Sequence, residues 1–252
     1  MSLGLERAGF STLAFCEASP FARAILRRHW PAVPCYDDIR TLTRDRMVRD
    51  GVARPGVVCG GFPCQDISTA GRGAGLDGAR SGLWHHMLRL VVECQPNWVV
   101  VENVPALRVR GADRVLAGLE AAGYACWPLV VGAVHAGAPH RRQRVFILAH
   151  AEGEGLEDRH VDPAIPPSRL PVARRRGWPA EPGLGRMADG LPTRLDRRAR
   201  LTALGNAVVP DVAMAIGEAI LTAQAAAERT RSAKLLRNLA TFGATTARQY
   251  PA

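Results

Sequence analysis

The sequence predicts an open α/β sheet whose strands are covered on both faces. Three observations point to it. Val57-Val58-Cys59, Val99-Val100-Val101 and the run from Arg144 to Ala149 are short, mostly apolar and bounded by glycine, proline or charged residues, as buried strands are. The stretch 80–94 between the first two places Leu83, Trp84, Met87, Leu88 and Val91 on one helical face. Side chains able to do chemistry, Cys64 and Glu102, follow or end two of the strands, where an open α/β sheet carries its site. With 252 residues, 47% of them hydrophobic, the chain suits one large domain with at most a small appendage.

Taken in order, 2–8 reads as a short helix stopped by Gly9, a residue suited to the left-handed turn after a helix. Ser11 to Cys16 is a β-type run ending at Glu17. Ser19 and Pro20 are a helix cap and first-turn residue, and that helix ends before Pro31. A short extended piece precedes Asp37-Asp38-Ile39. Pro96 ends the amphipathic helix, Asp113 opens another that Gly123 closes, and Cys126 to Val131 is a further strand. From His150 to about Arg200 the chain turns rich in proline, glycine and arginine and loses periodicity, which marks a loop-built insertion rather than a second core. Order resumes with Thr202 to Pro210, then a helix from Asp211 to about Ala227, and from Glu228 the chain reads as a charged helix and a frayed tail. The reading divides the chain into a catalytic and cofactor domain (1–149), an insertion (150–200), a return to that domain (201–227) and a charged tail (228–252).

The formal net charge of +10 favours a polyanionic partner, nucleic acid first, although an arginine-rich composition can also reflect coding bias. The six cysteines include no CxxC pair, so no zinc site is expected, and they read as reduced cytosolic thiols. No stretch is apolar enough for a membrane span.

Single residues decide little. A free cysteine such as Cys64 is usually inert packing. Glu17 and Asp38 sit where nucleotide-binding folds grip ribose, but each alone reads equally as a solvated carboxylate. Arg141, Arg142 and Arg144 could face phosphates, and Asn206 could cap the helix that follows. Four stretches together say more: FPCQDIS at 62–68, ENVPAL at 102–107, APHRRQRVFILA at 138–149 and ALGNAVVP at 203–210. Their order and spacing resemble the cytosine carbon-5 DNA methyltransferases of phage and bacteria, over about Ser2 to Ile220.

The resemblance implies a Rossmann-like, S-adenosylmethionine-dependent methyltransferase sheet with a short, loop-rich target-recognition insertion. It implies transfer of a methyl group to carbon 5 of a cytosine rotated out of double-stranded DNA. Carbon 5 becomes nucleophilic only when a thiolate adds at carbon 6. In this sequence Cys64 matches the nucleophile, Glu102 the acid at ring nitrogen 3, Arg144 the group that binds the carbonyl oxygen, and Arg142 its support. Glu17, Asp38, Pro63 and Asn206 match the cofactor-binding positions. Thr69 to Gly82 resembles the family's mobile loop, so Ser68, Arg72 and Arg80 are candidate nucleic-acid contacts. Arg174, Arg175, Arg176 and Trp178 in the insertion are candidates for groove contact. No metal is implied. The resemblance suggests a monomer in the cytoplasm of a bacterial or phage-infected cell, with a restriction endonuclease acting separately.

Two departures bear on this. His140 stands where the family more often has glutamine. The sequence also opens at Met1-Ser2-Leu3-Gly4 without the strand and FxGxGG turn that begin the family pattern. A gap in the sheet is therefore expected, with weak cofactor binding and low stability. Two other functions remain open: a transfer-RNA cytosine-5 methyltransferase, and an inactive nucleic-acid-binding remnant.

Overall fold

The computed structural model describes residues 1–63, 82–151 and 205–249, with side chains to residue 229. The elements run α1 (Ser2–Ala8), β1 (Phe15–Cys16), α2 (Pro20–His29), β2 (Cys35–Tyr36), α3 (Arg44–Arg49), β3 (Val57–Gly60), α4 (Leu83–Cys94), β4 (Trp98–Asn103), α5 (Leu107–Arg110), α6 (Ala112–Ala121), β5 (Tyr124–Gly132), a 3-10 turn (Ala133–Ala136), β6 (Gln143–Ala151) and α7 (Pro210–Gln249).

The main sheet has four strands in the order β3-β4-β6-β5. β3 and β4 run parallel, while β6 runs antiparallel to both β4 and β5. Its two faces follow from strand alternation. Val99, Val101, Val145, Ile147 and Ala149 face one way and pack with Trp84, Met87 and Val91 of α4 and with Val115 and Leu119 of α6. Trp98, Val100, Phe146 and Leu148 face the other way and meet Val212, Ala215, Ile216 and Ile220 of α7. Each fully buried aliphatic side chain of this kind contributes about 1.5–3 kcal/mol. α1 lies against α7 at backbone distance: a Cβ on Gly4 would stand 2.1 Å from the Pro210 carbonyl oxygen and 2.6 Å from the Ala213 Cβ. Only glycine allows that approach.

β1 and β2 form a separate two-stranded parallel sheet. A third, smaller core of Tyr36, Leu42, Met47 and Val52 joins it to Leu90 and Cys94 of α4. Arg89 reinforces the joint by donating to the carbonyls of Ile39 (2.9 Å) and Leu42 (2.7 Å). Glu6 ties the preceding loop down, accepting from Thr12 Oγ1 and, at 2.7 Å, from Trp30 Nε1.

Among the described residues no strand joins β1 to β3, and the residues along both line one cavity. Two elements differ in extent from the sequence reading. The strand expected from Ser11 is regular only at Phe15–Cys16, where β2 supplies hydrogen-bond partners. The helix from Asp211 and the charged helix expected from Glu228 are one unbroken helix, Pro210–Gln249, through a proline-free stretch in which nothing interrupts the backbone ladder. None of the helices in the described residues is long and apolar enough to cross a membrane.

Candidate active site and cofactor cavity

The parallel pairing of β3 with β4 sets the site. Gly60 pairs with Val101, so the chain leaving β3 at Gly61 passes directly beside Glu102, the penultimate residue of β4. A Cβ on Gly61 would lie 2.9 Å from Glu102 Oε2 and 3.0 Å from its carbonyl oxygen. The Gly60-Gly61 pair thus makes room for the carboxylate, a role readable only as a generic strand-end signal in the sequence. Asn103 fixes the turn by donating from Nδ2 to the Phe62 carbonyl (3.2 Å), while its Oδ1 accepts from the Val104 amide at 2.9 Å.

The antiparallel pairing of β4 with β6 supplies the other half. Asn103 pairs with Val145, and Arg144, one residue back along β6, reaches across to place Nε 2.9 Å from Glu102 Oε1. Both side chains are largely withdrawn from solvent, 18% and 11% exposed. Burial pushes the Glu102 carboxyl above the ordinary glutamate range. The positive charges of Arg144, the Met1 amino group and Arg142, with the Arg144 hydrogen bond, oppose that rise without cancelling it. Burial conversely lowers the Met1 amine, whose charge is felt by both Cys59 and Glu102.

Arg142 points elsewhere. It donates to the carbonyls of Gly205 (2.8 Å) and Ala207 (2.5 Å), and Arg144 also donates to Gly205 at 3.0 Å. Sequence reading missed these carbonyls because backbone acceptors carry no residue signature.

The large cavity, about 1240 Å³, opens between the two sheets. It exceeds the roughly 300–1,000 Å³ of ordinary ligand pockets because it includes the space between β1 and β3. Glu17, Asp38 and Pro63 all line it, with Ile39, Phe62 and Leu83 as apolar wall. One Glu17 oxygen accepts from the Ser19 amide at 2.7 Å. Asp38 is held by Arg40, at 2.7 Å through Nη2 and 3.0 Å through Nε, and this pairing brings its carboxyl down to about 2. Asn206 is exposed and outside the cavity lining. Cys64, Ser68, Arg72, Arg80, Arg174, Arg175, Arg176 and Trp178 lie outside the described residues.

Comparison with known proteins fits this arrangement. The family model for C-5 cytosine-specific DNA methylase matches residues 1–176. The chain belongs to that family. The chain is 36% identical over 157 residues to the Type II methyltransferase M2.BsuMI of Bacillus subtilis strain 168, covering 59% of itself and 39% of that protein. It is 32% identical over 173 residues to the Type II methyltransferase M.AquIA of a Picosynechococcus strain, covering 62% of itself and 70% of that protein. Against M.AgeI of Thalassovita gelatinovora, also a Type II methyltransferase, the identity is 34% and the coverage 61% and 38%. Thus the chain spans about two fifths of the length of the relatives M2.BsuMI and M.AgeI. Among solved structures, one described as a candidate DNA modification methyltransferase encoded within an E. coli prophage matches with a TM-score of 0.51 and 27% identity, over 60% of this chain and 43% of that one.

Proposed function

We propose that this chain methylates carbon 5 of cytosine in duplex DNA. The observation that carries the reading is the buried Glu102–Arg144 pair beside the turn that leads from β3 into Pro63 and Cys64. Such a pair suits a flipped pyrimidine: a carboxyl biased toward its protonated form can donate to ring nitrogen 3, and an adjacent guanidinium can bind the neighbouring carbonyl oxygen. The net charge of +10 suits the phosphate backbone.

In this reading the Cys64 thiolate adds to carbon 6, forming the sulfur–carbon bond. The displaced electron pair moves toward nitrogen 3, which takes the proton of Glu102. Carbon 5, now enamine-like, would take the methyl group from the sulfonium of a bound S-adenosylmethionine, whose sulfur would keep the bonding pair and leave as a neutral thioether. The carbon 5 proton then leaves to water, the sulfur–carbon bond breaks as the ring double bond reforms, and nitrogen 3 returns its proton to Glu102. Arg144 holds the base in place through both halves.

The cavity residues fit S-adenosylmethionine. Two carboxylates, Glu17 and Asp38, follow the ends of β1 and β2, and apolar Ile39 and Phe62 provide a surface for a planar base. That cofactor supplies an electrophilic methyl group. Glu17 would hold ribose hydroxyls, Asp38 the adenine edge and Pro63 would wall the reactive end. Asn206, outside the lining, would take part only through movement of its segment.

The test is incubation with cofactor and a duplex carrying 5-fluorocytosine, which blocks the loss of the carbon 5 substituent and leaves the protein attached. A denaturation-resistant adduct that disappears in Cys64→Ala supports the reading. The split sheet favours one second reading, a nucleic-acid-binding chain without turnover. Salt-sensitive duplex binding with no adduct would select it.

A further inference from the structure

Arg142 combines two unusual features. Its backbone adopts φ +23°, in the left-handed region that few residues other than glycine occupy. Its guanidinium is spent on main-chain oxygens flanking Asn206, those of Gly205 and Ala207. The Gly205 oxygen is shared: Arg144 donates to it at 3.0 Å through Nη2 while its Nε holds Glu102 at 2.9 Å. One carbonyl, brought in by the segment that leads into α7, thus links two arginines to the buried carboxylate.

We propose that Arg142 is a positioning residue that clasps residues 205–207 onto the start of β6, so that the Gly205 carbonyl holds Arg144 in register with Glu102. Arg142 thereby acts through Arg144 rather than on the base. Both bonds come from one nitrogen, Nη2, which the planar guanidinium holds in a fixed direction; lysine carries its ammonium on a shorter, freely rotating stem and loses that aim. The coupling runs both ways: whatever moves the 205–207 segment loosens the hold on Glu102, and ordering of the pocket around Glu102 steadies that segment. The inference rests on the reading of Glu102 and Arg144 as the base pocket, but its test needs neither turnover nor an adduct.

The variants are Arg142→Lys and Arg142→Gln in the full chain. Hydrogen exchange followed by mass spectrometry reads the segment 205–209, with the amides of β4 and β6 as the control for folding. Isotope-edited infrared spectroscopy of carboxyl-labelled glutamate, assigned by subtraction of Glu102→Gln, reads protonation of Glu102. The charges facing that carboxylate are Arg144, Arg142 and the Met1 amino group, and Arg142→Lys preserves all three. Both variants are expected to speed exchange at 205–209 at least tenfold while β4 and β6 remain protected. Both are expected to move the Glu102 titration further up as Arg144 slackens. If Arg142→Lys leaves exchange and titration as in the parent, charge alone accounts for Arg142 and the clasp is refuted. If exchange rises but the Glu102 titration stays put, the clasp is purely local and the link through Arg144 is refuted. If the lysine variant loses protection in β4 and β6 as well, Arg142 supports the whole sheet and the specific positioning role is likewise refuted.

Discussion

The four-stranded and two-stranded sheets of this chain carry the two halves of one proposed site under opposite conditions. In β4 every residue is buried, Val99 to Val101 are at most 1% exposed, and helices cover both faces. The residues of β1 and β2 are mostly half-exposed or exposed, and β1 ends at an open cavity. The carboxylates differ accordingly. Glu102 is desolvated and held in the un-ionised direction. Asp38, in solvent and paired with Arg40, is held ionised. A packed sheet makes an acid by removing water, whereas an exposed edge keeps a carboxylate charged by pairing it. The acid half is thus organised by its own strands, and the cofactor half opens onto the cavity between the two sheets.

The largest effect should come from the packed half. Glu102→Gln keeps the shape but has no proton to give, so the rate of adduct formation on 5-fluorocytosine DNA should fall by about 10²–10⁴-fold. An unchanged rate would remove Glu102 from the chemistry. In the open half, calorimetric titration with S-adenosylmethionine should show weak or no binding, since among the described residues no strand closes the cavity between β1 and β3. Micromolar affinity would show that the gap does not matter.

Smaller effects compare the halves through stability. Gly61→Ala forces a methyl group against Glu102 and should cost about 1–3 kcal/mol in urea denaturation, by overpacking. No loss would mean that the turn relaxes freely. The pH dependence should carry opposite signs. Glu102, raised on folding, binds its proton more tightly in the folded state. Its contribution is therefore full below the unfolded value of about 4.3 and lost as pH rises through the folded one. Asp38, lowered to about 2, contributes above the unfolded value of about 3.9, and that contribution is lost as pH falls through 2. Comparing the stability profiles of Glu102→Gln and Asp38→Asn with the parent isolates each sign. Like signs would sink the contrast. Exposure makes the Asp38 effect the smaller of the two.

Much of the fold was legible because its signals are local. Val99 to Val101 announce a strand by an unbroken apolar run, Ser19 and Pro20 mark a helix start, and Gly9 marks a helix end, here at φ 112°. The Ser19 side chain accepts from the Ala22 amide as a cap should. The helix at 44–49 has such a cap in Thr43, which accepts from the Arg46 amide and went unread, whereas the helix at 107–110 carried no comparable signal, and neither did the antiparallel direction of β6, which depends on how the chain returns after the 3-10 turn.

By itself the sequence singled out which side chains could do chemistry, because a thiol, a carboxyl and paired guanidiniums keep their functional groups wherever they fold, while its resemblance to the cytosine carbon-5 DNA methyltransferases supplied the chemistry expected of them. Only the tertiary structure decided that Arg144 holds Glu102 while Arg142 holds the main chain at Gly205 and Ala207, and that Asn206 stands apart from Glu17 and Asp38. The two arginines are chemically identical and two residues apart. What separates their roles is the register of β6 against β4 and the arrival of a backbone carbonyl from a segment some 60 residues along the chain, and long-range pairing of this kind leaves no mark on either residue alone.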